Sequence, residues 1–203
     1  MKKLFFVKPD LYLPDNLTIV GSSKIILKKK NGKEIDKSNF IVRFNFASTN
    51  GFEEYTGFAT SLMVINNNQY QLLESNPIKR KKVSKYLAIS PGTLKKFKCE
   101  SNYFFFEKKK NQYLLALEFL KYFDIFFYLI KILMKKNFSI GFCFILLCIN
   151  SGINLKIYGF DLDEDMLKRE YYFKKQKIGG VHDLVAEHKV LKKLKKYKLI
   201  NFQ

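Results

Sequence analysis

The sequence predicts an α/β fold built on a mostly parallel sheet. Three observations predict it: short runs rich in β-branched and aromatic residues, segments of helical length that follow them, and Gly-containing or Lys-rich stretches that separate the two. Strands alternating with helices pack as helices around a parallel sheet, with ligands bound beyond the carboxyl ends of the strands. Taken in order, Leu17–Val20, Phe40–Phe44, Leu62–Ile65 and Tyr86–Ile89 read as strands, and a fifth follows at Leu155–Tyr158. Gln112–Met134 and Gly141–Asn150 have helical length and composition. His182–Lys196 carries apolar residues at Leu184, Val185, Val190, Leu191 and Leu194 and reads as a helix, and Leu199–Phe202 as the last strand. The charged, Gly-terminated stretch 163–180 reads as a mobile surface loop directly before His182.

At 203 residues and 47% hydrophobic, the chain is expected to form one domain with a sizeable core. Lys and Arg number 37 against 18 Asp and Glu, a formal charge of +19 that suits polyanions, acidic membrane surfaces or anionic small substrates without choosing among them. The abundance of Lys, Asn, Ile and Phe is also what an AT-rich genome produces. The Lys runs at 28–30, 79–82 and 108–110 read as solvated loops. Cys99, Cys143 and Cys148 form no CxxC pair, and with 2 histidines they make no zinc set, so a reduced, cytoplasmic setting is expected. The N-terminus MKKLFFVKPDLYLP has a basic start, but its apolar run ends at Lys8 and Asp10 and is too short for a secretion signal. Lys131, Lys135 and Lys136 break the apolar stretch 123–150 below the roughly 20 residues that span a bilayer, and no transmembrane helix is expected.

Four clusters carry possible chemistry. Val20-Gly21-Ser22-Ser23 ends the first strand, where a glycine lets backbone approach a ligand and hydroxyls offer hydrogen bonds; a plain turn accounts for the same residues. Arg43-Phe44-Asn45-Phe46-Ala47 ends the second strand and sets an amide at its terminus, where a cap is the ordinary role. Ser139-Ile140-Gly141 opens an apolar helix whose positive end suits a phosphate or carboxylate, although an N-cap explains Ser139 equally well. His182 and Glu187 stand at the start of the last long helix, and an imidazole titrating near neutrality suits proton removal. A surface histidine at a helix start is also commonly structural.

Taken together, the stretch from Val20 to Ser61 resembles sialyl motif L of the animal-type sialyltransferases. Val20-Gly21-Ser22-Ser23, Gly32, Ile35-Asp36, Arg43 to Ala47, Gly51-Phe52-Glu53 and Gly57 to Thr60 follow that pattern in order, with Ser22 where the family has Asn. The stretch from Ser139 to Asp161 resembles motif S, including Ser139, Gly141 and Tyr158-Gly159-Phe160, with Phe138 at the family's Pro. Glu170-Tyr171-Tyr172-Phe173 is similar to motif III with Glu170 at its His, and His182 with Glu187 matches the very short H-x4-E motif. The disulfide linking motifs L and S in animal members would fall at Leu17 and Gly152, and both cysteines are absent together, as a reducing compartment allows.

The resemblance implies a GT-A-like, Rossmann-type sandwich with no metal site, no cofactor and a lid over about 163–181. It implies donor-binding residues Gly21, Ser22, Ser23, Asn45, Asn66, Ser139, Ile140, Gly141, Tyr158, Gly159 and Phe160. His182 would be the base, Glu187 a supporting residue, and Tyr171 and Tyr172 donors to the departing phosphate, as tyrosines are in the bacterial lipooligosaccharide sialyltransferases. The implied reaction is inverting transfer of sialic acid from CMP-sialic acid to a glycan hydroxyl, galactose-terminated by expectation. Phe104 to Phe106, Phe126 and Phe127 beside Lys clusters suggest peripheral contact with an anionic membrane, such as the inner face of a bacterial inner membrane carrying a lipid-linked acceptor. Three alternatives stay open: a metal-dependent transferase using Asp161-Leu162-Asp163, a CMP-Kdo-type transferase, and a non-enzymatic nucleic-acid-binding protein favoured by charge and interspersed aromatics.

Overall fold

The computed structural model describes residues 1–66, 68–69, 83, 85–90, 103–162, 170–177 and 182–203. Its strands are β1 (Lys2–Lys3), β2 (Val7–Lys8), β3 (Tyr12–Leu13), β4 (Asn16–Val20), β5 (Ile41–Phe44), β6 (Leu62–Ile65), β7 (Lys85–Ser90), β8 (Tyr103–Glu107), β9 (Asn154–Tyr158), β10 (Glu170–Tyr171), β11 (Lys174–Lys177) and β12 (Asn201–Phe202). The helices are α1 (Gly32–Asp36), α2 (Glu53–Thr56), α3 (Lys108–Leu117), α4 (Phe123–Leu133), α5 (Ile140–Asn150) and α6 (Leu184–Lys196). All strands expected from the sequence are present, with small shifts at their ends.

An 8-stranded sheet in the order β12-β9-β4-β5-β6-β7-β8-β2 forms the centre. Every pairing in it is parallel except that of β2 with β8 at one edge. Ile41–Phe44 and Leu62–Ile65 are buried at every position, which is why, apart from Arg43, they are apolar rather than alternating. Register places Ile19 between Val42 and Ile157. From β4 the chain proceeds outward through β5 to β8, then returns through α3, α4 and α5 to lay β9 on the other side of β4. The reversal makes the carboxyl ends of β4 and β9 a switch point, where neighbouring loops diverge and leave a crevice.

Two expectations change in the middle of the chain. Gln112–Met134 is not one helix: α3 and α4 are separate, joined through a tight turn with Phe119 N donating to Ala116 O and Tyr122 N to Phe119 O. No Gly or Pro marks the break. Packing imposes it, because folding back buries Leu115, Ala116 and Phe119 together with Ile125, Leu129 and Ile132. The aromatics Phe104 and Phe106 are not surface residues either; they are buried in β8, whereas Phe127 is exposed.

Lys108 also departs from expectation. Instead of standing in a solvated loop, it opens α3 with 5% exposure, and its Nζ donates to Phe138 O at 2.6 Å. Lys28 to Lys30 are exposed as expected, and Lys79 to Lys82 and Cys99 lie outside the described residues. Cys143 and Cys148 are buried free thiols in α5. That helix is apolar all round because it is enclosed on all sides. No helix among the described residues is long and apolar enough to cross a membrane.

Several glycines and polar residues of the first third act as a buttress. Both Asp36 carboxylate oxygens accept from Phe58 N, and Oδ1 also from Ala59 N. Gly57, at φ 66°, sits where a Cβ would meet Asp36 Oδ1 at 2.4 Å. Arg43 is 1% exposed and donates through Nε to Ala59 O and Thr60 Oγ1 and through Nη2 to Thr56 O. These contacts fix the loop after α2 against β5 and so hold the end of β5 in place.

Candidate active site

A cavity of about 630 Å³ opens over the carboxyl ends of the central strands. Its floor is the meeting of the β4 and β9 loops. Gly21 N donates to Tyr158 O and Ser23 N to Gly159 O, and a Cβ on Gly21 would lie 2.4 Å from Gly159 O and 2.6 Å from the Phe160 ring. Gly159 is at φ 68° and its added Cβ would meet Gly21 O at 2.8 Å. Two loops cross here with no room for side chains, so the cavity is bounded by backbone and by Phe160.

At the end of β5 the chain turns through two successive left-handed residues, Asn45 at φ 49° and Phe46 at φ 55°. Such conformations are costly for residues other than glycine and persist where surrounding contacts enforce them. One such contact is Asn45 Oδ1 accepting from Asn66 N at 3.0 Å. With Oδ1 committed, Asn45 offers a ligand its Nδ2 donor. Asn66 Oδ1 in turn accepts from Gln69 N.

The segment Asn137-Phe138-Ser139 is held at every residue. Asn137 O is bonded to His182 Nδ1 at 3.0 Å, Phe138 O to Lys108 Nζ, and Ser139 N and Oγ to the two oxygens of Glu187 at 2.6 and 2.7 Å. Gln112 Nε2 adds a bond to Asn137 Oδ1 at 2.8 Å. Asp183 caps α6 through Ala186 N, so His182 lies just outside that helix rather than within it. Because a carbonyl only accepts, Nδ1 carries the proton and Nε2 is left as the basic nitrogen. Burial holds the imidazole pKa below its ordinary value, opposed by the Asn137 carbonyl and with lesser lowering by Lys108 and Lys136. The ring is therefore neutral at pH 7 and able to accept a proton.

Glu187 is 2% exposed, and burial pushes its carboxyl up to about 7, against the opposing pull of the Ser139 hydrogen bonds and Lys108. Ser139 Oγ accepts from Phe142 N while bonded to Glu187, so with Glu187 ionised its proton is already donated. The free donors at the start of α5 are then the Ile140 and Gly141 backbone N–H groups. They suit an anion. Gly141 allows this turn to sit against Phe160, whose ring would be 3.2 Å from an added Cβ.

All but two of the site residues expected from the sequence line this cavity. Tyr172 does not. Its hydroxyl donates to Ser48 O at 2.7 Å, its ring packs on Phe52 at 5.1 Å, and burial pushes its pKa up to about 12. Tyr158 is 1% exposed beneath the floor and also lies off the lining. Tyr171 does line it, in a β10–β11 hairpin where a loop was expected. Tyr171 bridges Ser23, and Tyr172 N donates to Ser22 O. Lid positions 163–169 and 178–181 lie outside the described residues, as does Asp163. Asp161 lines the cavity; among the described residues no three His, Cys, Asp or Glu side chains converge.

Sequence reading missed Lys108, Gln112, Asn137 and Lys174. Lys174 lines the cavity with its Nζ 4.5 Å from the Tyr171 ring centroid. Their signal is weak: lysines in runs look solvated, and Asn137 and Gln112 belong to no recognisable spacing.

Comparison with known proteins bears on the family and the fold. The profile of glycosyltransferase family 29 (sialyltransferase) matches residues 16–199. A 63-residue stretch is 36% identical to rat alpha-N-acetylgalactosaminide alpha-2,6-sialyltransferase 3 and 40% identical to the human protein, covering 31% of this chain and only 21% of each relative. A mammalian sialyltransferase crystallised with Gal-beta-1-3GalNAc-ortho-nitrophenol superposes with a TM-score of 0.61 at 18% identity, over 93% of this chain and 68% of that one. The sialyltransferase CstII from Campylobacter jejuni, bound to the substrate analogue cytidine-5'-monophosphate, gives 0.52 at 15% identity, over 95% and 80% of the two chains. At these identities the structural likeness is one of fold.

Proposed function

The chain belongs to glycosyltransferase family 29, the sialyltransferase family, and from that premise we propose that it transfers sialic acid from CMP-sialic acid to a glycan hydroxyl, with His182 as general base. The observation that carries the reading is the 3.0 Å contact of His182 Nδ1 with Asn137 O, an acceptor that assigns the proton to Nδ1 and leaves Nε2 basic on a residue of the same cavity as Asn45 and Ser139. In this reading Nε2 takes the proton of the acceptor hydroxyl as its oxygen attacks the anomeric carbon. The bond from that carbon to the phosphate oxygen breaks, configuration inverts, and CMP departs with the bonding electron pair.

Asn45 Nδ2 and the backbone of Gly21 to Ser23 would bind the nucleoside. The Ile140 and Gly141 N–H groups would meet the phosphate or the sialic acid carboxylate, with Tyr171 and Lys174 as further donors. A leaving group with one phosphate is within reach of such donors without a divalent ion. The cytidine monophosphate bound to the Campylobacter relative supports the nucleotide assignment.

The test is CMP release from CMP-Neu5Ac, with and without a galactosyl acceptor and EDTA. The expected result is acceptor-stimulated, EDTA-resistant release that falls on the order of 10²- to 10⁴-fold in His182→Gln, the usual contribution of a positioned base. Activity that needs Mn²⁺ and a UDP-sugar would transfer the role to Asp161 and Asp163. Turnover of CMP-Kdo alone would change the sugar and keep the site.

A further inference from the structure

The α3–α4 hairpin carries an outer face that the fold leaves uncovered. On α4, Phe123, Phe127, Lys131 and Met134 are all exposed, at spacings of four, four and three that keep them on one side of the helix. Phe123 is 73% and Phe127 57% exposed, and Met134 is 79% exposed. On α3 and the turn, Leu114, Leu117 and Leu120 are likewise exposed. Tyr113 Oη donates to Leu133 O, tying α3 to the end of α4 so that the two helices of the hairpin lie side by side. The opposite sides, through Leu115, Ala116, Leu129 and Ile132, are in the core. Six large apolar side chains exposed on one hairpin mark an interaction site.

Charge identifies the occupant. Lys121, Lys131 and Lys135 are exposed around the patch, whereas Asp124 is engaged by Lys193 at 2.6 Å and by Tyr197, leaving Glu118 as the exposed acid of the hairpin. A second copy of a chain with charge +19 would set these lysines against their own kind. An apolar face rimmed by lysines matches the boundary of an anionic lipid bilayer, where aromatic and aliphatic side chains enter the acyl region and the ammonium groups meet lipid phosphates. We propose that the α3–α4 hairpin docks the protein peripherally on anionic lipid membranes. The proposal concerns this surface alone and holds whether or not the cavity takes CMP-sialic acid.

The experiment is flotation of the full chain with phosphatidylcholine vesicles, with and without phosphatidylglycerol. Binding is expected only to the anionic vesicles and is expected to weaken as salt rises. Phe123→Ser with Phe127→Ser should lower partition at least tenfold. Replacing Lys121, Lys131 and Lys135 by Gln should lower it on the order of a hundredfold, since each lysine near such a surface contributes roughly a factor of five. Replacing the equally exposed Lys28, Lys29 and Lys33 by Gln removes the same charge away from the hairpin and is expected to change partition less than fivefold. Equal loss in both lysine triples would show attraction by net charge alone and overturn the proposal. Unchanged binding in the Phe pair would overturn it too, as would a concentration-dependent dimer abolished by those substitutions. Circular dichroism checks that each variant is folded, which these exposed positions favour.

Discussion

Replacing Glu187 separates its two contributions, acceptor and titrating group. Glu187→Ala takes away the shared partner of the half-buried Ser139 N–H and Oγ, and the two lost bonds cost about 1–3 kcal/mol together. Glu187→Gln keeps an oxygen for Ser139 N and gains an amide donor for Ser139 Oγ, so its loss at pH 5 should stay within about 1 kcal/mol. The pH dependence then distinguishes wild type from the Gln variant. A carboxyl raised to about 7 by burial retains its proton in the folded protein while the unfolded chain ionises near 4.5. Its stability contribution is therefore complete below pH 4.5 and is lost as pH rises through 7. Over that window the loss amounts to roughly 3 kcal/mol. His182, whose lowered pKa works in the opposite direction below pH 6.5, is common to both proteins and cancels. Urea unfolding at pH 5 and pH 8 should show wild type losing about 2.5 kcal/mol of it relative to Glu187→Gln, the remainder being lost already by pH 5. Parallel pH profiles, or a Gln variant as destabilised as the Ala variant, would refute the reasoning.

Lys108→Met removes the cation that holds Phe138 O, and the expected outcome is a several-fold fall in kcat with a shifted pH–rate profile and near-native CMP affinity, read by steady-state kinetics and calorimetry. Asn45→Ala deletes the Nδ2 donor and the acceptor of Asn66 N, so CMP binding should weaken about tenfold, measured by calorimetry. Gly21→Ala forces a methyl to within 2.4 Å of a backbone oxygen that cannot move aside, and a loss of about 1–3 kcal/mol is expected in thermal denaturation. Tyr171→Phe should reduce turnover, whereas Tyr172→Phe should reduce stability by about 1 kcal/mol through the lost Ser48 bond with turnover less affected; equal kinetic losses would show that burial misidentified the two tyrosines.

The parallel sheet was legible because its strands are enclosed on both faces and are therefore unbroken apolar runs, as in Leu62–Ile65. The start of α5 was legible because Ser139 is a side-chain cap with its own spacing to Phe142. The break between α3 and α4 was not, since Glu118 to Tyr122 contain no helix breaker and only the return of Phe119 into the core requires the turn. Much of the stretch resembling motif L proved to be structural: Asp36 and Arg43 bond the loop 56–60, where Gly57 leaves room for the Asp36 carboxylate, and do not line the cavity. The clamp on Asn137 to Ser139 was only half readable. Its Glu187 and His182 arms belong to a recognisable spacing, but Lys108 comes from a lysine run, and nothing short of tertiary packing distinguishes a buried lysine from its solvated neighbours.

The antiparallel edge strand has a consequence for how the molecule is made. Val7 pairs with Phe106, so the strand leaves the ribosome roughly a hundred residues before its partner and, at ordinary elongation rates, waits for several seconds or more. Until then β2 has no mate, and in a chain that has lost the first eight residues the outer side of β8 would stay open. Such a truncation should yield self-association during expression rather than a cleanly folded enzyme, because an unprotected strand flank recruits whatever backbone is nearest.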